Sequence, residues 1–368
     1  MLSSQSNRIV NACRFCCMCR HLCPLGLALG KELNNPRAKA LLLSLVEKGA
    51  LELSEISKDI YECCLCNACA SNCETGYEPA VFIREVRSQL MAEGLAPAGV
   101  QAAADRLLQD GTLYGMKPEE TLAPYTFPAR SRQPVLLYVG ALAAVKTPEM
   151  VRAVQSLLEK AGIGYSVFAE NLSSGAVELD LIGPVQEVQA VARKCADALN
   201  AYGAETIVVL NPSDARMLRQ EYSDWGIALN AEVVTATAYI DALVADGALR
   251  LRRTAGVVTY HDPARLARDL QETQPARRLL DAMGYTLREM WQSRELTRCT
   301  GGEALASYAP EIVAETARCR MEDAVGTGAE ALVCACPACE ADLDGVPGIP
   351  VWDLFVLLDR QAEPPATA

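Results

Sequence analysis

The sequence contains few histidines and no long apolar run. Only 2 of its 368 residues are histidine, which leaves little support for a Ser-His-Asp or zinc hydrolase site. Apolar runs fall short of the roughly 18 residues that indicate a transmembrane helix. The start MLSSQSNRIVNACRF lacks the charged-then-apolar order of a signal peptide. We therefore expect a soluble, cytoplasmic chain without a transmembrane segment.

Positive charge and nucleotide-binding motifs are also scarce. The formal net charge of -12 would repel the phosphates of a nucleic acid, so no nucleic-acid partner is expected. There is no P-loop, and the G-x-G of residues 326–332 precedes an expected strand instead of following one, which disfavours a dinucleotide site. The composition is globular, and the length predicts two or three domains.

Cysteine, in contrast, is abundant. The chain has 16 cysteines, of which ten precede Gly76 and four cluster near the end. Tight CxxC runs in a chain without an export signal are more typical of metal binding in a reducing compartment than of disulfides. The sequence therefore predicts metal centres.

Two cysteine runs have the spacing of ferredoxin motifs. The first, from Cys13 to Pro24, contains C-x2-C-x2-C-x3-C-P, and the second, from Cys63 to Cys73, has the same spacing without the proline. Three closely spaced thiolates can bind one cubane cluster while the fourth binds its neighbour. We predict two [4Fe-4S] clusters, and the alternative is a pair of zinc sites or free thiols. The predicted ligands are Cys13, Cys16, Cys19 and Cys73 for cluster 1, and Cys63, Cys66, Cys69 and Cys23 for cluster 2.

Two further cysteines, Cys17 and Cys64, lie beside these ligands and complete no four-cysteine spacing of their own. We expect them to be small buried side chains or neighbours of a cluster.

The chain changes character after the second run. Up to about residue 100 the apolar residues have helical periodicity, as in PRAKALLLSLVEKG, and nothing there resembles a strand. A stretch rich in proline and glycine predicts a linker at 101–133. After it, short apolar runs such as PVLLYVG alternate with amphipathic ones, which is the pattern of βα units around a mostly parallel sheet.

The α/β part contains an internal repeat. GAETIVVLNPSDARML, from Gly203, aligns with GAEALVCACPACEADL, from Gly328, about 125 residues later. A period of this length indicates domain-sized units and not a solenoid. We expect two α/β repeats, at 134–250 and 251–360.

These motifs in this order resemble the iron-sulfur subunits of glycolate oxidase, of anaerobic glycerol-3-phosphate dehydrogenase and of lactate-utilisation complexes, which are related to heterodisulfide reductase subunits. The resemblance covers nearly the whole chain. It implies a multi-domain protein: an α-helical ferredoxin-type domain with two [4Fe-4S] motifs at 1–100, followed by two CCG-like α/β repeats. It also implies an electron-transfer subunit of an oxidoreductase complex and not a stand-alone enzyme, so no catalytic residue is predicted.

In that family each α/β repeat can carry cysteines that hold a noncubane cluster: one after the first strand, a Cys-Cys-Gly loop, and a later Cys-x2-Cys. The first repeat of this chain has none of them. Ala141 follows its first strand, its loop is Ser173, Ser174 and Gly175, and Asn211 and Asp214 occupy the last pair. We expect no metal in this repeat.

The second repeat keeps part of the set. Ala264 replaces the first cysteine and Thr300 the second cysteine of the loop. If ALVCA is a strand, Cys334 and Cys336 point to the same face, because side chains alternate along a strand. We predict a third site, either a [4Fe-4S] cluster or zinc, and the alternative is a group of inert buried thiols. Its ligands would be Cys299, Cys334, Cys336 and Cys339.

Two functions are consistent with the resemblance. In the first, a flavoprotein partner oxidises a 2-hydroxy acid or similar substrate, and the clusters pass the electrons singly to a quinone, a ferredoxin or another carrier. The flavin would be bound by the partner, and an acceptor or membrane partner protein would hold the chain peripherally at the inner face of the membrane. In the second, the second repeat acts on disulfides like heterodisulfide reductase, which needs the five cysteines that Ala264 and Thr300 interrupt. A purely structural zinc protein is the third alternative.

Overall fold

The computed structural model describes residues 2–14, 16–116, 118–126, 133–170 and 173–363. The part before residue 127, called here the N-terminal part, is helical where it is described. Its helices are α1 (Ser4–Ala12), α2 (Pro24–Leu29), α3 (Pro36–Glu47), α4 (Leu53–Tyr61), α5 (Pro79–Ala92), α6 (Ala98–Asp110) and α7 (Pro118–Leu122). Short 3-10 turns lie at Arg20–Leu22, Glu32–Asn34 and Ala123–Tyr125. Helices α6 and α7 occupy much of the predicted linker, of which residues 117 and 127–132 lie outside the described ranges.

Local signals explain where these helices begin and end. Pro36 and Pro79 are the first residues of α3 and α5, where the fixed φ and missing N–H of proline fit the first helical turn. Glu52 and Glu55 form a reciprocal capping box at the start of α4. Helices α4 and α5 thereby flank the second cysteine run, which spans residues 63–73.

The second part of the chain, called here the first repeat, is an α/β unit. One parallel sheet contains its first four strands, β1 (Val135–Tyr138), β2 (Tyr165–Val167), β3 (Thr206–Val209) and β4 (Glu232–Thr235). Their order in the sheet is β2-β1-β3-β4. The elements are β1 (Val135–Tyr138), α8 (Ala141–Lys146), α9 (Pro148–Lys160), β2 (Tyr165–Val167), α10 (Ala176–Ile182), α11 (Gln186–Tyr202), β3 (Thr206–Val209), α12 (Pro212–Arg216), a π-helical turn (Met217–Glu221), α13 (Tyr222–Asp224), β4 (Glu232–Thr235), α14 (Ala236–Ala245) and β5 (Arg250–Leu251).

The remainder, the second repeat, has the same topology. Its parallel sheet contains β6 (Val257–Tyr260), β7 (Thr286–Leu287), β8 (Ala331–Cys334) and β9 (Val351–Asp353). Their order in the sheet is β7-β6-β8-β9. The elements are β6 (Val257–Tyr260), a π-helical turn (Arg265–Asp269), α15 (Pro275–Ala282), β7 (Thr286–Leu287), a 3-10 turn (Arg294–Leu296), α16 (Glu303–Ala306), α17 (Pro310–Val325), β8 (Ala331–Cys334), α18 (Pro337–Leu343), β9 (Val351–Asp353), α19 (Leu354–Gln361) and β10 (Ala362–Glu363). The predicted α/β architecture with parallel sheets is confirmed. The aligned segments from Gly203 and Gly328 are both a strand followed by a helix.

The first sheet is covered on both faces, which explains why its central strand β1 is apolar and buried throughout. Along β1, Leu136 and Tyr138 belong to a core shared with helices of the N-terminal part, whereas Val135 and Leu137 belong to a core shared with the second repeat. Helix α10 packs on α5 at one face, and α9 packs on α19 at the other. The N-terminal part also contacts the second repeat directly, through α2 and α17. The three parts of the chain therefore contact one another.

A small antiparallel ribbon joins the two repeats at their ends. Strand β5 pairs with β10, with Leu251 opposite Ala362 and Arg250 opposite Glu363. The sequence pattern did not predict this pairing, because two-residue strands carry no recognisable alternation.

Candidate metal centres

The predicted cluster 1 cysteines line a single cavity in the N-terminal part. Cys13 follows α1 directly, and Cys73 lies in the loop before α5. The cavity is lined by Cys13, Cys16, Cys19 and Cys73, together with Cys17. Arg37 Nη1 donates a hydrogen bond to Cys17 Sγ over 3.0 Å. Thiols around a common space fit a cubane cluster, in which each thiolate binds a different iron.

The predicted cluster 2 cysteines line a second cavity, which is mainly apolar. Cys23, Cys63, Cys66 and Cys69 contribute to its wall, with Cys64. Backbone N–H groups point at two of the sulfurs: Gly26 N donates to Cys23 Sγ and Leu65 N to Cys63 Sγ, each over 3.4 Å. Such N–H···S bonds favour the thiolate form that binds iron.

The two cysteine loops share an unusual backbone feature. The residue that follows the second cysteine has a positive φ in both, 66° at Cys17 and 58° at Asn67. L-residues rarely adopt this conformation, and a β-branched side chain there would be strained. Both loops therefore turn in the same way around their cavities.

Burial alone is unfavourable for thiolates at these positions. It raises the pKa of the Cys19 thiol to about 11 and that of Cys23 to about 12, and it also raises the pKa of Cys63 and Cys69. Burial lowers the pKa of the neighbouring Lys39 ammonium. A buried thiolate needs compensation by positive charge, and a metal cluster supplies it. The donor set thus fits iron, although iron is bound only if the thiols lose their protons.

Three arginines hold the backbone of the second cysteine loop. Arg87 Nη2 donates to the Cys63 carbonyl over 2.7 Å. From the second repeat, Arg265 Nη1 donates to the Leu65 carbonyl over 3.0 Å and Arg268 Nε to the Cys66 carbonyl over 2.6 Å. Arg265 and Arg268 lie in the π-helical turn that follows Ala264, the position where the family has a cysteine. Sequence reasoning missed this role, for which the only signal was two arginines three residues apart.

A group of three thiols lies where this loop meets the second repeat. The sulfur atoms of Cys64, Cys66 and Cys299 all lie within 4.8 Å of one another, which no other trio of potential metal ligands in the described ranges achieves. Hydrogen bonds from Cys299 and Cys64 lower the pKa of Cys66 well below its usual range. Contacts with Cys299 and Cys66, together with burial, raise the pKa of Cys64 well above its usual range.

The other cysteines of the second repeat lie close to one another. Cys334, Cys336 and Cys339 are buried in one small apolar cluster with Leu142. Strand β8 ends at Cys334, so Cys336 lies beyond the strand and directly precedes α18. Cys299 lines a cavity together with Cys336 and Cys339, but its sulfur is grouped with Cys64 and Cys66.

Comparison with known proteins adds to this geometry. A protein-family model for the cysteine-rich CCG domain matches residues 258–344. One subunit of the dihydromethanophenazine:CoB–CoM heterodisulfide reductase of Methanosarcina acetivorans is 27% identical over 87% of this chain and 82% of its own length. The glycolate oxidase iron-sulfur subunit of Escherichia coli is 26% identical over 48% of this chain and 49% of its own. The resemblance of this chain to iron-sulfur subunits of this family is therefore confirmed.

This chain also matches a longer relative, of which it covers less than half. The "Probable membrane-anchored ferredoxin" of Chromohalobacter salexigens is 31% identical over 79% of this chain and 45% of its own length. In the described part of the present chain, none of the helices is long and apolar enough to cross a membrane.

In the first repeat, oxygen-bearing side chains occupy two of the positions at which the family resemblance predicts that cysteines have been lost, Ser174 and Asp214. Ser174 and Asp214 are buried, and the Ser174 hydroxyl donates to Asp214 Oδ1 over 2.6 Å. Burial raises the pKa of Asp214 to about 7 and that of the nearby Glu303 to about 8. Carboxyl groups with such pKa values carry protons near neutral pH. In the second repeat, the position aligned with Asp214 carries the thiol of Cys339.

Proposed function

We propose that the chain binds two [4Fe-4S] clusters and passes electrons one at a time between a flavoprotein partner and a second carrier. The clusters would be held by the two cysteine sets that line separate cavities in the N-terminal part. This part would then be a ferredoxin-type domain spanning about residues 1–100, with the CCG-like repeats at about 134–250 and 251–360.

One observation carries the proposal: each of the two predicted four-cysteine sets lines its own cavity. The sets interleave, because Cys23 comes from the first run and Cys73 from the second. Two clusters bound in this way would share a small domain and would lie close to each other, as single-electron transfer requires. A cluster supplies one-electron redox chemistry, and this chain's residues bind it, exclude water and orient its ligands.

The relatives indicate an iron-sulfur oxidoreductase subunit, and the finer roles are proposed. The partner would be a flavoprotein that oxidises a 2-hydroxy acid or a similar substrate, consistent with the name of the Escherichia coli relative. The acceptor would be a quinone, a ferredoxin or another carrier. Contact with a membrane, where it occurs, would be peripheral and through a partner protein.

Disulfide catalysis at the second repeat is the alternative, and the names of the Methanosarcina relatives favour it. The geometry favours it less. The five-cysteine set is interrupted by Ala264 and Thr300, and Thr300 Oγ1 donates a hydrogen bond to Asp342 Oδ2 over 2.7 Å. Its side chain is thus satisfied within the protein.

The test is an iron count on anaerobically purified protein with matched variants. We expect about eight irons per chain, and about four after Cys16→Ser or Cys66→Ser, because each substitution removes a ligand of one cluster. Cys17→Ser and Cys64→Ser alter the adjacent cysteines and should leave the count near eight. Each ligand variant should also remove one of two EPR signals of the reduced protein.

Three results would contradict the proposal. A wild-type count near four would leave one set unused. Equal iron loss in Cys16→Ser and Cys17→Ser would show that the ligand assignment is wrong. Zinc in place of iron would indicate a structural protein.

A further inference from the structure

The trio of Cys64, Cys66 and Cys299 contains two thiols that the proposed clusters do not use. Cys66 belongs to the cluster 2 set, whereas Cys64 lies between two ligands in the sequence and Cys299 comes from the loop before α16. Their sulfurs lie within 4.8 Å of each other and of Cys66. A disulfide joins sulfurs about 2 Å apart, so its formation requires rotation about the side-chain bonds of the two cysteines.

We propose that Cys64 and Cys299 form a reversible redox pair, a dithiol when reduced and a disulfide when oxidised, which adjusts the iron centre bound through Cys66. The existence of the pair is independent of the function proposed above. Its effect on the cluster rests on that function.

Exposure assigns different roles to the two cysteines. Cys64 is half-buried, whereas Cys299 is 9% exposed. A small thiol reagent therefore reaches Cys64 first, and Cys299 is placed to resolve the product. The surroundings are apolar, because Leu22, Ala68 and Ala264 pack in the same cluster as Cys66 and Cys299.

The oxidant of the pair is a low-molecular-weight disulfide, which accepts the two electrons that the pair loses. Cys64 loses its proton to solvent, and its sulfur attacks one sulfur of that disulfide, which forms a mixed disulfide and releases a thiolate that takes up a proton. Cys299 then attacks the Cys64 sulfur and releases the second thiol. The pair loses two electrons and two protons, and the small disulfide gains them as two thiols. An excess of reduced thiol reverses both steps.

Oxidation changes the hydrogen bonding of a cluster ligand. In the dithiol form, the sulfurs of Cys64 and Cys299 lie within 4.8 Å of Cys66 Sγ, where an S–H group can turn to donate to that ligand. Hydrogen bonds to cluster sulfurs stabilise the extra negative charge of the reduced cluster and raise its potential. A disulfide has no S–H donor, so its formation lowers the potential. The pair would thereby make the second cluster harder to reduce under oxidising conditions.

Trypsin makes the disulfide directly observable. Cys299 is the only cysteine of the peptide 299–318, and Cys64 lies in the peptide 59–84. The cluster-loaded protein is equilibrated anaerobically in glutathione buffers of increasing oxidised fraction, and free thiols are alkylated before acid release of the clusters. We expect a linked 59–84/299–318 species that appears with the oxidised fraction and disappears with dithiothreitol.

Variants locate the bond and control for exchange. Cys64→Ala and Cys299→Ala should each abolish the linked species, whereas Cys319→Ser should retain it, since Cys319 lies on α17 outside the trio. Absence of the linked species in wild type, or its persistence in Cys64→Ala, would overturn the proposal. The first result means that the thiols only pack, and the second that Cys66 or another cysteine is the partner.

An EPR redox titration gives the second readout. Oxidised glutathione should lower the midpoint potential of one cluster in wild type, whereas in Cys64→Ala, which keeps the Cys299 thiol and cannot form the disulfide, the potential should not change between the buffers. A normal iron count without any linked peptide would reject the pair and leave the electron-transfer proposal intact. A linked peptide in a protein that contains no iron would reject the electron-transfer proposal and support the cysteine pair.

Discussion

Ser174 donates a hydrogen bond to Asp214, and Asp214 stands in the first repeat where Cys339 stands in the second. Both residues are buried, and Gly140 approaches so closely that a Cβ on it would lie 2.9 Å from Asp214 Oδ2. The position that carries a thiol in one repeat thus carries a confined carboxyl in the other. Its protonation must therefore affect stability.

We predict that Asp214→Asn stabilises the protein increasingly as the pH rises. The folded-state pKa of about 7 is above the unfolded value of 3.8, so the native state binds the proton more tightly and loses stability between about pH 4 and 7. Asparagine still accepts a hydrogen bond from Ser174 and does not ionise.

The free energy of unfolding of the variant, relative to wild type, should increase by roughly 2 kcal/mol from pH 5 to pH 8, as measured by urea unfolding. Asp197→Asn, at an exposed position of α11, is the control. Equal advantages at both pH values would show that Asp214 is not buried as a neutral acid.

Asp180 should show the opposite behaviour. Burial tends to raise the pKa of this carboxyl, but the ion pairs with Arg265 and Arg84 outweigh burial and hold the pKa at about 2. This depressed pKa contributes stability above the unfolded pKa of about 4, which is lost only as the pH falls toward 2. Asp180→Asn should therefore destabilise by about 2 to 3 kcal/mol, equally at pH 5 and pH 8. A loss confined to pH 8 would contradict the pairing.

Replacement of Arg87 should be costly, because its guanidinium serves several carbonyls. It donates to the carbonyls of Tyr61, Cys63 and Asp180 and lies 4.8 Å above the Tyr61 ring. Arg87→Met leaves these buried acceptors without a donor and should destabilise by about 3 kcal/mol or more. Iron at the second cysteine set should also be lost faster to a chelator.

The matched control for Arg87 is Arg152→Met. Arg152 forms an exposed ion pair with Glu149, which contributes about 1 kcal/mol at most. Calorimetry and chelator kinetics on both variants would compare them. A similar effect of the two substitutions would mean that the contacts of Arg87 are not structural.

Metal analysis of a Cys336 variant distinguishes the predicted third metal site from the proposed redox pair, because both use Cys299. If Cys299 pairs with Cys64, only Cys334, Cys336 and Cys339 remain, and these are buried among apolar side chains. We expect Cys336→Ser to leave iron and zinc contents unchanged. A loss of about four irons from a starting count of about twelve would instead show that the third set is loaded and includes Cys299.

Much of the α/β architecture was predictable, because strand and helix periodicities are local. The runs VLLY and TIVV form β1 and β3, and the aligned segments after Gly203 and Gly328 repeat the same strand and helix. The extent of β8 was less predictable. The shared face predicted for Cys334 and Cys336 depended on a strand over ALVCA, but the strand ends at Cys334 and Pro337 begins the next helix.

The contacts between distant segments were beyond sequence reasoning. Cys64 was expected to be a buried side chain or a cluster neighbour, and the structure places its sulfur beside Cys299. That contact depends on how the second repeat packs on the N-terminal part, about which periodicity contains no information. The cysteine sets of the two clusters were assigned from spacing, and their occupancy by iron stays a prediction.

The arginines that hold the second cysteine loop also impose an order in time. Arg265 and Arg268 follow their carbonyl partners Leu65 and Cys66 by 200 and 202 residues. During synthesis the loop leaves the ribosome long before these partners exist, and its carbonyls are then hydrated. The loop can reach its final geometry only after the second repeat has been translated and has folded, so the first cysteine set can mature before the second.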